Sequence, residues 1–321
     1  MIYNPSFITM AFSNLFTVSS FGTFFLFPLL ITGYGGSKSD IGIIMGVFAL
    51  SSVLCRPWIS NMIDRIGRKR SYTVGCSIMS ILPLIYLLFR GNLSHFYLSL
   101  ILVRIVHGVG LAICFTASFT YIADIVPEER LNEGIGIFGV TGLTGLAIGP
   151  VIGEIIITEF GSSVFFCAAT GMATLGLIIH LPLSESFVHD SQKSSQSFFA
   201  VFIKRKMLFV ALLAFLFGFG LAASGSFVSP FAKEQEIVFI SLYYISYSLA
   251  AVLTRILGGR LADRIGEDRI IPYALTLFLF PCLNSLAIRN EPIDTRGKIT
   301  GVFTGGIDAG AFVGSIILGY I

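Results

Sequence analysis

The chain is 321 residues long, 55% apolar, 12% charged and formally +3. Such an inventory cannot clothe a water-exposed surface, which excludes a soluble globular enzyme and points to a membrane protein. Crossing a hydrocarbon core of about 30 Å takes roughly 20 helical residues. Runs of that order lie near 7–32, 41–60, 71–89, 96–122, 134–158, 163–183, 207–232, 237–258, 270–288 and 299–321. They are continuous rather than alternating, so the fold class is all-α and not a β-barrel.

The first run has no basic leader or cleavage site before it and is expected to be retained. It mixes Asn14, Ser19 and Ser20 with phenylalanines, which suits a cavity for a partly apolar solute, cations included. The second run carries Arg56 and gives way to Asp64, Arg65, Gly67 and the basic stretch Arg68 to Arg70. An aspartate at the membrane boundary can pair with arginine or accept from a helix N-terminus, while the glycine permits a tight turn. A solvated basic loop is the plain alternative.

Arg104 stands about eight residues into the fourth run, where a charge costs at least about 2.5 kcal/mol. His107 lies one turn further along the same face. Asp124 and Arg130 follow at the end of that run. The fifth run has Gly145, Gly149 and Gly153 at every fourth position, a smooth face for close helix contact, with Pro150 to bend it and Glu154 near its far end. Such faces serve either as sliding contacts between moving parts or as static packing. Asp308 sits about ten residues into the last run, too deep for a surface residue.

The stretch 53–70 returns at 252–269 with eight of eighteen positions identical, an offset of 199. Asp263, Arg264 and Gly266 therefore match Asp64, Arg65 and Gly67, and Arg255 matches Arg56; these two arginines, four residues before each motif, are expected near the cytoplasmic interface, where snorkelling competes with a functional role. Lys38, Arg90 and Lys233 fall in alternate loops, fifteen other basic residues fall on the opposite face, and Arg56, Arg104 and Arg255 lie inside runs. The basic excess places both copies of the motif, the N-terminus and the 184–206 linker in the cytoplasm. Both copies facing one side make a parallel repeat about an axis along the membrane normal. The expected organisation is a six-helix bundle at 1–183, a linker at 184–206 and a second bundle at 207–321.

A second echo has another spacing. Pro127, Gly136, Phe138, Gly145 and Gly149 match Pro292, Gly301, Phe303, Gly310 and Gly314 at an offset of 165. The second half is thus expected to lack about 34 residues between 270 and 290, one helix plus a loop, and also the last helix. Charge agrees: the run at 270–288 is flanked by Arg269 and Arg289, both in the cytoplasmic set.

The phrases "SNMIDRIGRKR" and "GRLADRIGEDR" resemble the loop signature between helices 2 and 3 of the major facilitator superfamily and its second-half repeat. "RIVHGVG" is similar to the fourth-helix signature, "YIADIVPEER" to the end of that helix, and "GLAIGPVIGE" to the fifth-helix signature of the drug:proton antiporter branch. Two departures stand out. Ser60 replaces the first glycine of the loop signature, which the second copy keeps as Gly259, and Glu154 replaces the final glycine of the fifth-helix signature.

The resemblance implies two pseudo-symmetric helical bundles in the cell's inner membrane. It implies proton-coupled efflux of a small organic solute or drug by alternating access, with uptake by the same fold or an inactive truncated scaffold as alternatives. On that reading Asp64, Arg65, Gly67, Arg68, Arg104, Asp124, Arg130, Asp263, Arg264 and Gly266 serve gating and coupling. Asn14, His107, Glu154 and Asp308 are candidates for the proton or substrate site. The expected partners are the solute, protons and lipid; the chain is expected to be a monomer that binds no nucleic acid, metal or cofactor. The five cysteines have no ligand spacing, and no phosphate loop, Gly-x-Ser-x-Gly or His-Glu-x-x-His sequence occurs, so no enzyme is expected.

Overall fold

A computed structural model of the chain describes residues 3–187, 197–266 and 276–321. Part of the linker and residues 267–275, where much of the expected missing segment falls, lie outside the described residues. Eight of the described helical segments are long and apolar enough to cross a membrane.

The first half contains α1 (Pro5–Thr23), continued through a 3₁₀ turn into α2 (Phe27–Gly33), then α3 (Lys38–Ile66), α4 (Arg68–Ile85), α5 (Tyr97–Ile125), α6 (Leu131–Glu159) and α7 (Gly161–His180). The second contains α8 (Phe198–Phe202), α9 (Arg205–Ser226), α10 (Val228–Glu234), α11 (Ser241–Ile265), α12 (Thr276–Ile288) and α13 (Arg296–Tyr320).

Local chemistry sets the ends. Asn4 caps α1 by accepting from the Phe7 N–H at 2.8 Å, with Pro5 in the first turn. Ser37 and Asp40 form a reciprocal capping box on α3. At the other end α3 stops at Gly67, whose φ of +104° a side chain would strain, and α4 begins one residue later.

This corrects the expectation of a motif loop after the second apolar run. Asp64 and Arg65 are helical and the connection shrinks to Gly67. Hydropathy detects only the hydrocarbon-facing length, whereas α3, α5, α6 and α11 continue past it and carry their charges on helix ends.

Packing repeats between the halves. In the first, α1 lies against α6; in the second, α9 lies against α13. The halves meet where α3 packs on α13 and α6 on α11. The glycine faces serve the contacts within each half. A Cβ on Gly145 would come within 2.9 Å of the Leu15 carbonyl on α1, and one on Gly314 within 2.9 Å of the Phe219 carbonyl on α9. Pro150 touches the same α1 surface at Gly22, and Gly153 packs on Leu26 and Phe165. These faces are therefore packing inside a bundle, not sliding surfaces between bundles.

The Cβ of a Gly149→Val variant would fall within 2.9 Å of the Gly22 Cα, where backbone cannot yield. Overpacking of this kind costs about 1–3 kcal/mol. Thermal unfolding in detergent should show a clear loss of Tm for Gly149→Val and none for Gly220→Ala, where nothing lies within 4 Å.

Candidate functional site

The repeated aspartates do the same thing in crossed fashion. Asp263, at the end of α11 in the second half, accepts from the backbone N–H groups of Asn132 and Glu133 at 3.1 and 2.9 Å, and from the Asn132 amide at 2.7 Å. It thereby caps α6 of the first half. Asp64, at the end of α3 in the first half, lies against Gly297 and pairs with Lys298 at 2.8 Å in the first turn of α13. Each carboxylate thus sits at the positive end of a helix dipole belonging to the opposite bundle.

Buried ion pairs extend the Asp64 contact. Arg68, with no exposed side-chain surface, pairs with Asp64 at 3.4 Å and Asp124 at 2.8 Å. Arg296 of the second half pairs with Asp124 at 3.7 Å and donates to the Ala123 carbonyl at 2.5 Å. Beside Asp263, Arg289 of the same half pairs with it at 3.0 Å. Asp124 and Arg289, which correspond at the 165 offset, thus hold opposite charges beside the two aspartates.

Glu185, just before the linker, accepts from the N–H groups of Arg68, Lys69 and Arg70 and so caps α4. The Phe187 ring lies 3.9 Å from the Arg68 guanidinium. Nothing in the motif signals Glu185 or Phe187, because the segment carrying them is distant in sequence.

Other expected gate residues stand apart. Arg65 and Arg264 are exposed and outside the cluster. Arg130, in the turn just before α6, pairs with Glu133 of the same half at 2.7 Å rather than across the halves. Gly266 repeats the positive φ of Gly67, at +90°. Ser60 does not prevent close approach, because its hydroxyl packs directly on Gly301 of α13. The glycine lost from α3 is supplied by the facing helix.

Between the halves lies a central cavity of about 270 Å³. Its lining includes Phe21, Phe48, Phe119 and Tyr247 and, among the described residues, four charged ones: Arg56, Arg104, Arg255 and Asp308. Arg56 forms an ion pair with Asp308 across the halves and donates to Thr116. Arg104 is 1% exposed, with its guanidinium 4.4 Å from the Phe48 ring and its Nη1 without a hydrogen-bond partner. Arg255 is 7% exposed and lies 5.3 Å from the Phe280 ring, with its Nε equally unpartnered.

Arg56 and Arg255 are the arginines whose position before the motif suggested an interfacial place. They reach the cavity because eight helical residues, a rise of about 12 Å, separate each from its aspartate. Among the described residues, three guanidinium groups against one carboxylate give this lining a cationic character, which runs against a site for cations.

The remaining candidates lie outside that lining. Asn14 donates to Thr141 at 3.0 Å and ties α1 to α6. His107 is fully buried beside Tyr86, at 3.1 Å, within aromatic packing. Glu154 accepts from the N–H groups of Ile240 and Ser241, both at 2.9 Å. It caps α11 at the end away from the motif, so the replacement of glycine there builds a contact between the halves. Among the described residues no cluster could hold a metal ion.

An all-helical membrane protein with crossed contacts at one face and a charged cavity between two bundles has the architecture of a carrier. Residues 7–288 match the Major Facilitator Superfamily, and the chain belongs to it. Multidrug resistance protein 2 of Bacillus subtilis is 30% identical over an aligned stretch taking in 74% of this chain and 62% of that protein. An uncharacterized MFS-type transporter of Methanocaldococcus jannaschii is 26% identical, over 89% of this chain and 83% of its own length. Among solved structures, the human organic anion transporter MFSD10 superposes with a TM-score of 0.77 at 16% identity, over 98% of this chain and 93% of its own. That likeness shows the fold alone. The chain is a multi-pass membrane transporter of this superfamily and not an enzyme.

Proposed function

We propose that the chain is a secondary carrier that exports small organic solutes in exchange for protons by alternating access. The observation that carries this reading is the crossed capping of α6 by Asp263 and of α13 by Asp64. Contacts made across the halves at one face must part if that face is to open, while the cavity stays between the bundles. The motif face is the cytoplasmic one on the charge distribution, which leaves the N-terminus inside the cell. Asp308, the cavity's carboxylate, is the proton carrier in this scheme. Export is supported by the drug-resistance names of the Bacillus relative and of the quinolone resistance protein NorA of Staphylococcus aureus, 24% identical over 72% of this chain.

The proposed organisation keeps a second bundle shortened between α11 and α13. The Asp263–Arg289 pair holds both flanks of the 266–289 segment at one face. The aligned stretch with the MFS-type transporter SLC18B1 of Mus musculus runs 370 residues, longer than this chain.

Everted vesicles test the function. With an acidified lumen they should accumulate a labelled quinolone or another organic solute from a broad panel, and collapse of the gradient should stop it. Gradient-driven movement in the opposite sense would establish uptake, and no gradient-dependent flux of any solute would establish the scaffold reading.

A further inference from the structure

The cavity's two repeat-related arginines are not treated alike. Arg56 reaches across to α13, where Gly305 makes room for its stem, which a Cβ there would meet at 3.2 Å, and Asp308 takes its charge. Arg255 reaches across to α6 in the mirrored way, its guanidinium packed against Gly139. At the 165 offset that relates α6 to α13, the counterpart of Asp308 is Leu143. Leu143 lines the same cavity. The two-fold arrangement thus gives one arginine a carboxylate and denies it to the other, and no described residue forms an ion pair with Arg255. An unpaired buried charge is costly unless something of opposite sign arrives to meet it.

We infer that the cargo is a small amphipathic organic anion whose carboxylate is received by Arg255 at the place that Leu143 leaves empty of charge. The inference rests on the cavity being the transport site. Arg104 adds a second uncompensated cation to the same lining, so a negative cargo also meets a favourable field before contact. The apolar part of the cargo lies against the rings of Phe48, Phe119 and Phe280, which line the remainder. A volume of about 270 Å³ suits a one- or two-ring acid and falls near the lower end of small-molecule sites. The Ser248 hydroxyl, which lines the cavity and has no partner, supplies a further donor.

The test is binding of radiolabelled phenylacetate, salicylate and indole-3-acetate to the purified full chain in proteoliposomes. At least one acid should bind and resist displacement by its uncharged amide and by phenethylammonium. Arg255→Gln should weaken binding about tenfold or more, with Arg255→Lys between it and the parent. Leu143→Asp, which supplies the missing carboxylate internally, should weaken it comparably, while Asp308→Asn, which releases Arg56, should strengthen it.

Absence of binding by all three acids, displacement by phenethylammonium as effective as by acid, or unchanged binding in a folded Arg255→Gln protein overturns the inference. Counterflow in the same vesicles separates it from the transport reading. Binding of the acid without flux upholds the anion site and counts against transport. Flux of phenethylammonium without the acids upholds transport and overturns the anion site.

Discussion

Asp64→Asn is expected to open the motif face and to abolish transport while leaving membrane insertion intact. Asp64 is 2% exposed and its carboxylate is shared between Lys298 and Arg68, at 2.8 and 3.4 Å. Neutralising it breaks the Lys298 ion pair and removes one of the two carboxylates that compensate Arg68. Removing one partner of a buried ion pair costs about 3–5 kcal/mol. The lower end applies here, because Asp124 remains beside both Arg68 and Arg296.

The cost falls selectively on the conformation in which α3 touches α13. A carrier balanced within a few kcal/mol between its two faces is therefore driven almost wholly to the other. Spin labels at Arg65 and Arg264, exposed positions one in each half, read this directly. Their short-distance population should dominate in the parent and give way to a longer one in Asp64→Asn. A short distance retained in the variant, with full flux, would remove Asp64 from the gate.

The contacts at the motif face were largely readable before folding because their chemistry is written twice. Two copies of Asp-Arg-Ile-Gly at one spacing, and Asp124 and Arg289 at another, name the aspartates and part of their complement. What repetition could not say is which helix each aspartate meets. The crossed partnership of Asp64 with α13 and of Asp263 with α6 depends on how the bundles face each other, a long-range property. Arg296 and Lys298 looked like topology signals because basic residues at a membrane boundary serve that purpose by default.

The cavity was less readable for a different reason. Hydropathy places Arg56 and Arg255 near the boundary, whereas the helices extend beyond their apolar runs and draw both residues inward. Asp308 was visible as an isolated acid in an apolar run. Its meaning depends on Arg56 across the interface, and the meaning of Leu143 depends on Asp308 in turn.

Arg56→Met and Asp308→Asn offer the second large effect, and the double variant decides its origin. Arg56 is 3% exposed and its ion pair with Asp308 crosses from α3 to α13. Arg56→Met leaves a carboxylate in an aromatic cavity without its counter-charge, a loss of about 3–5 kcal/mol. Asp308→Asn leaves the arginine with Thr116 and a neutral amide, a milder change because guanidinium also finds aromatic faces in this lining.

Replacing both restores neutrality, and buried ion pairs exchanged for uncharged groups are often neutral in stability. Thermal unfolding of the four proteins should therefore show strong coupling, with the double variant more stable than Arg56→Met alone. Proton-driven flux should behave differently, being lost in Asp308→Asn and not regained in the double variant, since neither retains a cavity carboxylate. Recovery of both stability and proton-driven flux would make the pair a structural tie. Recovery of stability alone leaves Asp308 as the group through which the proton enters the cycle.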